Sequence, residues 1–496
     1  MSIAGKHEWN KVDSLAGMAE EMGQVVERAA KDGVSLREFE RDIFDRLLNM
    51  GRTAIEQFLK LQGDGDRGET VADAEGRTLY RSEEPARRPL RTIFGEHHFE
   101  AYVYRQRRHA NTRIVLRPVD ERLGIAPDRW SPLLQEFTML ISVEQAFEPA
   151  ADVFESIFRQ NLSVDTLEGV SRRMGERAGE FLDNLDVPPA DEEGELLVQT
   201  ADGKGVPMIR DDARRLQSFE EKPQRPGNRR MATLAGVYSV DRYIRTPEQI
   251  VEALFREEPQ SAAERRPRPE PGHKRVIARF PQVIDEIDED EPVSGAMLAL
   301  IWASREVEQR RRKDQTLVRL MDGQHSLWET AETCCEVPAE YLVDILDVVH
   351  VSSYVWRAAK VFHSHREHQE AFARERLLRI LQGDAKGIIT GLRRMATQRN
   401  LEGHPRREID TVCGYFTAHL HRMRYKEYLA AGYPIATGVI EGACRHLVKD
   451  RMERSGMRWT LNGAQAMLHL RALRQSSYWD EFQQQQTSTT SNPLIS

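Results

Sequence analysis

Cysteine is scarce: 496 residues contain four, and two of these, Cys334 and Cys335, are neighbours. No CxxC pair and no regular Cys spacing occurs, which excludes a disulfide framework and speaks against structural zinc, leaving reduced thiols. Long apolar runs are missing as well. The longest, from Ala296 to Ala303, is far too short to cross a bilayer. The opening MSIAGKHEWNKVDS lacks the apolar stretch of a secretory signal, so a cytoplasmic protein with no membrane partner is expected. An excess of positive charge is also lacking, since 71 Lys and Arg face 79 Asp and Glu, for a net charge of −8. Net charge averages over a surface, however, and binding depends on local patches. The remaining composition, 40% hydrophobic and 30% charged, fits a mostly globular chain long enough for two to four domains.

Three acidic residues stand in informative contexts. Asp202 follows the apolar run Leu196, Leu197 and Val198, and Asp322 follows Leu317, Val318, Leu320 and Met321. Both runs have the length and composition of buried central strands. Gly203 and Gly323 come directly after the two aspartates, so each is expected to turn the chain away and leave its carboxylate at a strand end, where open α/β sheets place their ligands. Glu441 lies early in a helix after Pro434, with Thr437 as the expected N-cap. At helical spacing, Cys444, Leu447, Val448 and Arg451 fall on one side of Glu441, and Arg445 and Lys449 on the other.

Converging carboxylates have one chemistry they serve well. Three of them within about 4–5 Å would repel by roughly 3–4 kcal/mol per pair at an effective dielectric near 20, so such a cluster calls for cations. Two divalent ions held by hard oxygen ligands about 3.5–4 Å apart are the arrangement of two-metal phosphodiester chemistry. Two Mg²⁺ ions, with Mn²⁺ as a substitute, are the expected cofactors.

Positive charge collects near the third acid. Arg445, Lys449, Arg451, Arg454 and Arg458 follow Glu441, with Arg471 and Arg474 further on, and phosphate contact is the expected role of the first five. Lys204, close to Asp202, is a further candidate. A second basic run, Arg305 and Arg310 to Lys313, reads as a solvated helix face. The segment EQAFEPAADVFESIF, RQNLS, VDTLEGVSRRMGERAGEFL reads as helix, turn, helix, with Ser163 as cap; Arg172, Arg173 and Arg177 would face a groove if this were a DNA-reading motif, and solvent if it were a helical support. His363, His365 and His368 lack the HExxH order and read as a solvated helix surface.

Periodicity divides the chain into a helical region over residues 1–70, a linker and β-hairpin over 71–125, and a helical segment over 126–190. Residues 195–365 carry strands ending at Asp202, at Asp322 and over Leu342–Leu346. Further strands are expected from Val206 to Ile209 and from Met231 to Val240. A Pro-, Arg- and Glu-rich stretch between Phe255 and Lys274 reads as a mobile loop. Residues 366–432 are strongly helical, 433–476 carry Glu441, and the low-complexity end, 477–496, is expected to be disordered. The fold class is α/β.

The strings around Asp202, Asp322 and Glu441, above all GVIEGACRHLVKDRMERSGMRW with GAQAMLHLRAL after it, resemble the DDE transposases of bacterial insertion sequences, specifically the ISKra type, over about residues 90–480. The resemblance implies an RNase H-like catalytic core, a mixed sheet flanked by helices, with Asp202, Asp322 and Glu441 as the metal-binding triad. It implies that residues 366–432 are an all-helical insertion and that Asp347 and His350 form an auxiliary D-x-x-H pair; a local hydrogen bond between those two at a helix start is the plainer reading. Expected partners are double-stranded DNA, as transposon ends and target, and a second copy of the chain in a homodimer or larger assembly. Two alternatives stay open: an RNase H-like nuclease or resolvase that cuts without joining, and a DNA-binding regulator that has lost turnover.

Overall fold

The computed structural model describes residues 15–108, 113–126, 128–218, 227–256, 267–283 and 292–490. Two compact units emerge, one of residues 1–170 with 480–496 and one of residues 171–479.

The first unit begins with helices Leu15–Asp32 and Leu36–Leu61. Ser35 opens the longer one through a capping box, its hydroxyl accepting from the Glu38 amide while the Glu38 carboxylate accepts from the Ser35 amide. The expected hairpin pairs Ala86–Thr92 with Gly95–Ala101 and turns at Ile93 and Phe94. A four-stranded antiparallel sheet stands beside it in the same unit. Leu59, Leu90, Phe99, Val119 and Ile125 form the buried cluster. The tail expected to be disordered is helical over Trp479–Thr490, because Trp479 and Phe482 bury and anchor its first turn.

The second unit is built on one five-stranded sheet. Its strands are β1 (Leu196–Pro207), β2 (Arg229–Val240), β3 (Gly272–Arg279), β4 (Thr316–Met321) and β5 (Leu342–Leu346), in the spatial order β5-β4-β1-β2-β3. β1, β2 and β3 pair antiparallel, whereas β4 runs parallel to both β1 and β5. Side chains alternate between the faces. Leu197, Val237, Ile277 and Leu317 pack under helix Gly295–Arg310 through Trp302, Ala303 and Val307. Val198, Val318, Leu320 and Ile345 join Val351 and Val355 of helix Val348–Phe362, and through them the helices Arg366–Leu381, Ala385–Gln398 and Gly403–Ala418. The α/β class is thus a mixed sheet flanked by helices.

Two expectations about this sheet need correction. Val206 to Ile209 is no separate strand: β1 runs unbroken to Pro207 because the equally long β2 pairs with it throughout. Asp202 therefore lies within the strand, opposite Leu234, and Gly203 makes no turn. A Cβ there would lie 2.7 Å from the terminal methyl of Met231, a flexible, part-exposed side chain that can move aside. Most of the stretch read as a mobile loop before Lys274 lies outside the described residues. Among the described residues no helix is long and apolar enough to cross a membrane.

The helix-turn-helix candidate is resolved into helices Phe147–Phe158 and Val164–Asp183, with the Ser163 hydroxyl accepting from the Thr166 amide at 3.2 Å. Gly175 and Gly179 press the second helix onto Leu461–Gln475, where Cβ atoms would lie 2.5 Å from Ala466 and from the His469 ring. Arg172, Arg173 and Arg177 occupy its exposed side. His469 is buried in this contact, its Nδ1 sharing a hydrogen bond with the Gly175 carbonyl at 2.9 Å and its Nε2 facing Arg279. Burial, reinforced by the Arg279 charge, pushes its pKa down to about 3. The unfolded chain then binds a proton that the folded one refuses, so stability is complete above the ordinary histidine range and falls as pH drops below it. Denaturant titrations between pH 7 and 4 should show a loss approaching about 1.4 kcal/mol per pH unit from this residue. His469→Gln should flatten that limb, and an unchanged limb would mean that His469 titrates normally.

Candidate metal centre

Three chain segments deliver acids to one end of the sheet. Asp322 directly follows β4 and Asp347 directly follows β5, and because Met321 pairs with Leu346 the two aspartates are neighbours, tied by the Asp347 amide donating to the Met321 carbonyl at 2.9 Å. Asp202 reaches the same place along β1, past the point where β4 stops pairing with it at Gln199.

Glu441 arrives after the helical segment, and hydrogen bonds locate its helix. The Val348 amide donates to the Ile435 carbonyl at 2.9 Å, the Thr437 amide to Asp347 at 3.3 Å, and the Thr437 hydroxyl to Asp347 Oδ2 at 2.9 Å. Thr437 is the N-cap residue as expected, but its hydroxyl serves Asp347 in place of a helix amide. Asp347 also caps helix Val348–Phe362 by accepting from the Val349 amide at 3.1 Å. Fully buried, this aspartate ties two helices to a strand end.

The Glu441 helix, Gly438–Ala443, continues through a π turn, Cys444–Lys449, into Asp450–Met452. Its faces divide as the spacing requires: Cys444, Leu447, Val448 and Arg451 are buried, while Glu441, Arg445 and Lys449 are exposed. Cys444 turns back to the site, its thiol donating to Asp202 Oδ2 at 3.2 Å. Burial and the Asp202 charge push that thiol well up, so it stays protonated and keeps donating.

Electrostatics show that these acids share one site. Burial pushes Asp322 up; the Gln324 amide opposes this, and Asp202 and Asp347 add to it. Glu441, exposed by its surface area, is raised by the desolvation its carboxyl meets at the edge of the site and then by Asp347 and Asp202, with His350 pulling the other way. Asp347 is raised by burial against its Val349 and Thr437 hydrogen bonds. Carboxylates held up by burial and by one another are the electrostatic condition that a divalent cation relieves. The tightest ligand set differs from the expected triad: one atom each from Asp347, His350 and Glu441 lie within 4.8 Å of one another. Asp202 and Asp322 couple to that set without joining it at that spacing. The D-x-x-H pair therefore belongs to the site itself.

One wall of the site was not legible beforehand. A Cβ at Gly323 would lie 2.2 Å from the Tyr415 ring, which stacks on Tyr354 with centroids 3.8 Å apart. Gly323 thus makes the expected bend between the end of β4 and helix His325–Cys334 and also provides clearance, and helix Gly403–Ala418 reaches the residue after Asp322. Burial, with the Asp322 charge next, pushes the Tyr415 phenol up, so it remains neutral. The glycine following Asp322 was the available signal; its partner was not.

The basic candidates separate by burial. Lys204 is half-buried on β1, and Arg445, Lys449, Arg454 and Arg458 are exposed, with Arg445 at 3.6 Å from Asp450. Arg451 is fully buried, over the Trp459 ring at 5.1 Å and donating to Met457 Sδ at 3.6 Å, so it packs where a phosphate contact was expected. The second basic run is largely structural. Arg310 is buried against Glu193 and Glu306, and Arg311 and Arg312 bond backbone carbonyls, so the solvated face expected there is confined to Arg305 and Lys313. Of the three histidines, His363 is part-buried against Phe372, and His365 precedes its helix as the N-cap residue. Comparison with protein-family models and with curated proteins returns no match.

Proposed function

We propose that the chain is a metal-dependent DNA phosphodiester enzyme, a DDE transposase with an RNase H-like core, that cuts DNA strands and joins the freed 3′-hydroxyls to target DNA. The observation that carries this reading is the convergence of Asp202, Asp322 and Glu441, with Asp347 and His350, at one end of the sheet. The sheet supports it: five strands in mixed pairing, flanked by helices, are compatible with the mixed sheet that the resemblance implies. Asp202, Asp322 and Glu441 would hold two Mg²⁺ ions, or Mn²⁺, which when bound activate the attacking oxygen and steady the leaving one. Asp347 fixes the Glu441 helix, and the Cys444 thiol fixes one oxygen of Asp202. Lys204 and Arg445 stand close in sequence to two of the acids and would receive the phosphates beside the cut. Cytoplasmic action on nucleoid DNA, by a homodimer or larger assembly that pairs two ends, belongs to the same reading.

Incubating the full chain with a labelled duplex bearing candidate ends, with and without Mg²⁺, tests it. Cleaved strands and strand-transfer products are expected only with the metal. Cleavage without joining would favour a nuclease or resolvase, and no metal-dependent cleavage would remove the enzymatic reading.

The exposed basic residues permit a second measurement. Lys449→Ala, Arg454→Ala and Arg458→Ala should each weaken binding to all duplex sequences alike and make its salt dependence shallower by about one unit. Arg451→Ala should leave that slope unchanged and lower the thermal midpoint, because its role is packing on Trp459. The opposite pattern, a slope change at Arg451 and none at the others, would move the DNA path elsewhere.

A further inference from the structure

The Glu441 helix also borders a cleft that the proposed chemistry does not use. Gly438 and Gly442, one turn apart, line a space of about 260 Å³ together with Lys274 and Val276 of β3, His446 and Gln475. No carboxylate among the described residues lines it. Lys274 is half-buried on the edge strand, and desolvation alone pushes its ammonium below the ordinary value, with no carboxylate among the described residues offsetting it. His446 is held by Asp450 through Nδ1 at 3.0 Å.

Neither steric crowding nor backbone conformation requires the two glycines. Neither adopts left-handed backbone, and a Cβ at either would meet nothing within 4 Å. Glycine weakens a helix relative to alanine, so bare backbone at both positions leaves room at a cost that the surrounding packing does not demand. A desolvated cation facing that room, with the Gln475 amide beside it, is complementary to a compact anion, and lysine is a point-charge partner for phosphate.

We propose that this cleft seats a backbone phosphate of the DNA strand, with Lys274 as its counter-charge and the Gly438 and Gly442 face as the surface the sugar-phosphate chain lies against. The assignment rests on the reading that DNA is the substrate, and places a second phosphate on the helix that carries Glu441. The test is duplex binding by fluorescence anisotropy in Ca²⁺, across a salt series. Lys274→Ala should weaken binding about tenfold and make the salt slope shallower by about one, and Lys274→Arg should restore most of both. Gly442→Leu removes no charge but fills the cleft, and should weaken binding by a similar factor. Gly442→Ala controls for folding, with a thermal midpoint equal to or above that of the parent.

Parental affinity and slope in both Lys274→Ala and Gly442→Leu would overturn the proposal. If the parent protein still cleaves DNA with metal, the transposase reading survives that result. If the parent neither binds nor cleaves DNA, both fall. Inorganic phosphate that stabilises the parent but not Lys274→Ala, with DNA affinity unchanged in the variant, would assign the cleft to a free anion and likewise overturn the DNA seat.

Discussion

Asp202→Asn, Asp322→Asn and Glu441→Gln are each expected to reduce metal-dependent cleavage at least about a thousandfold, roughly 4 kcal/mol of barrier, with DNA binding largely retained. Each exchange keeps size and hydrogen-bonding capacity and removes one negative charge. Because Asp322 and Glu441 are raised by burial and by the neighbouring acids, removing a charge from the cluster should relax the apo site, so the thermal midpoint should hold or rise while activity falls. A variant that loses both has lost its fold, and one that keeps near-parental cleavage is not a ligand. Asp347→Asn separates positioning from ligation. Its carbonyl oxygen can still accept from Val349 or Thr437, so a positioning residue should lose about 10–100-fold, as supporting hydrogen-bond partners of metal ligands do. A loss equal to that of the triad would place Asp347 among the ligands with His350 and Glu441, the set whose atoms lie closest.

The sequence made the strands of this site legible because their signal is local. The apolar run before Asp322 is short and buried on both faces, which is what a central parallel strand requires, whereas the run before Asp347 forms an edge strand that buries only Ile345 and Leu346 and was legible from its apolar residues alone. The Glu441 helix was legible for the same reason, since its buried and exposed sides repeat at helical spacing. Asp202 was misplaced within its strand because Gly203 read as a turn when β1 is considered alone. The pairing of β2 through Pro207 is a nonlocal fact that keeps it extended. The tie between Asp347 and Thr437 spans 90 residues, and the Tyr415 contact with Gly323 likewise depends on how the helical segment folds back. Charge was the least legible property, because a run of arginines looks the same whether it faces water or a buried glutamate.

Arg310 is the case that turns that ambiguity into a measurement. Its Nε and Nη2 donate to the two oxygens of Glu193 at 2.7 and 3.2 Å, and its Nη1 donates to Glu306 at 3.3 Å. Glu306 in turn accepts from Arg275 at 3.0 and 3.1 Å, and all four side chains are buried. Burial alone would raise Glu193, and the hydrogen bonds and charge of Arg310, with Ser239 and His273 adding to them, together hold the carboxyl below its ordinary value. Arg310→Ala would strand Glu193 without its partner and leave Glu306 with one arginine in place of two. Removing one partner from a buried ionic network costs about 3–5 kcal/mol, because the desolvated charges remain. For a unit of this size that corresponds to a fall of roughly 10 °C in the thermal midpoint. Arg305→Ala, on the exposed side of the same helix, should stay within about 0.5 kcal/mol of the parent. DNA affinity measured well below the midpoint should be unchanged in both variants. Parental stability with weakened DNA binding in Arg310→Ala would reverse the assignment and place this basic run on the DNA path.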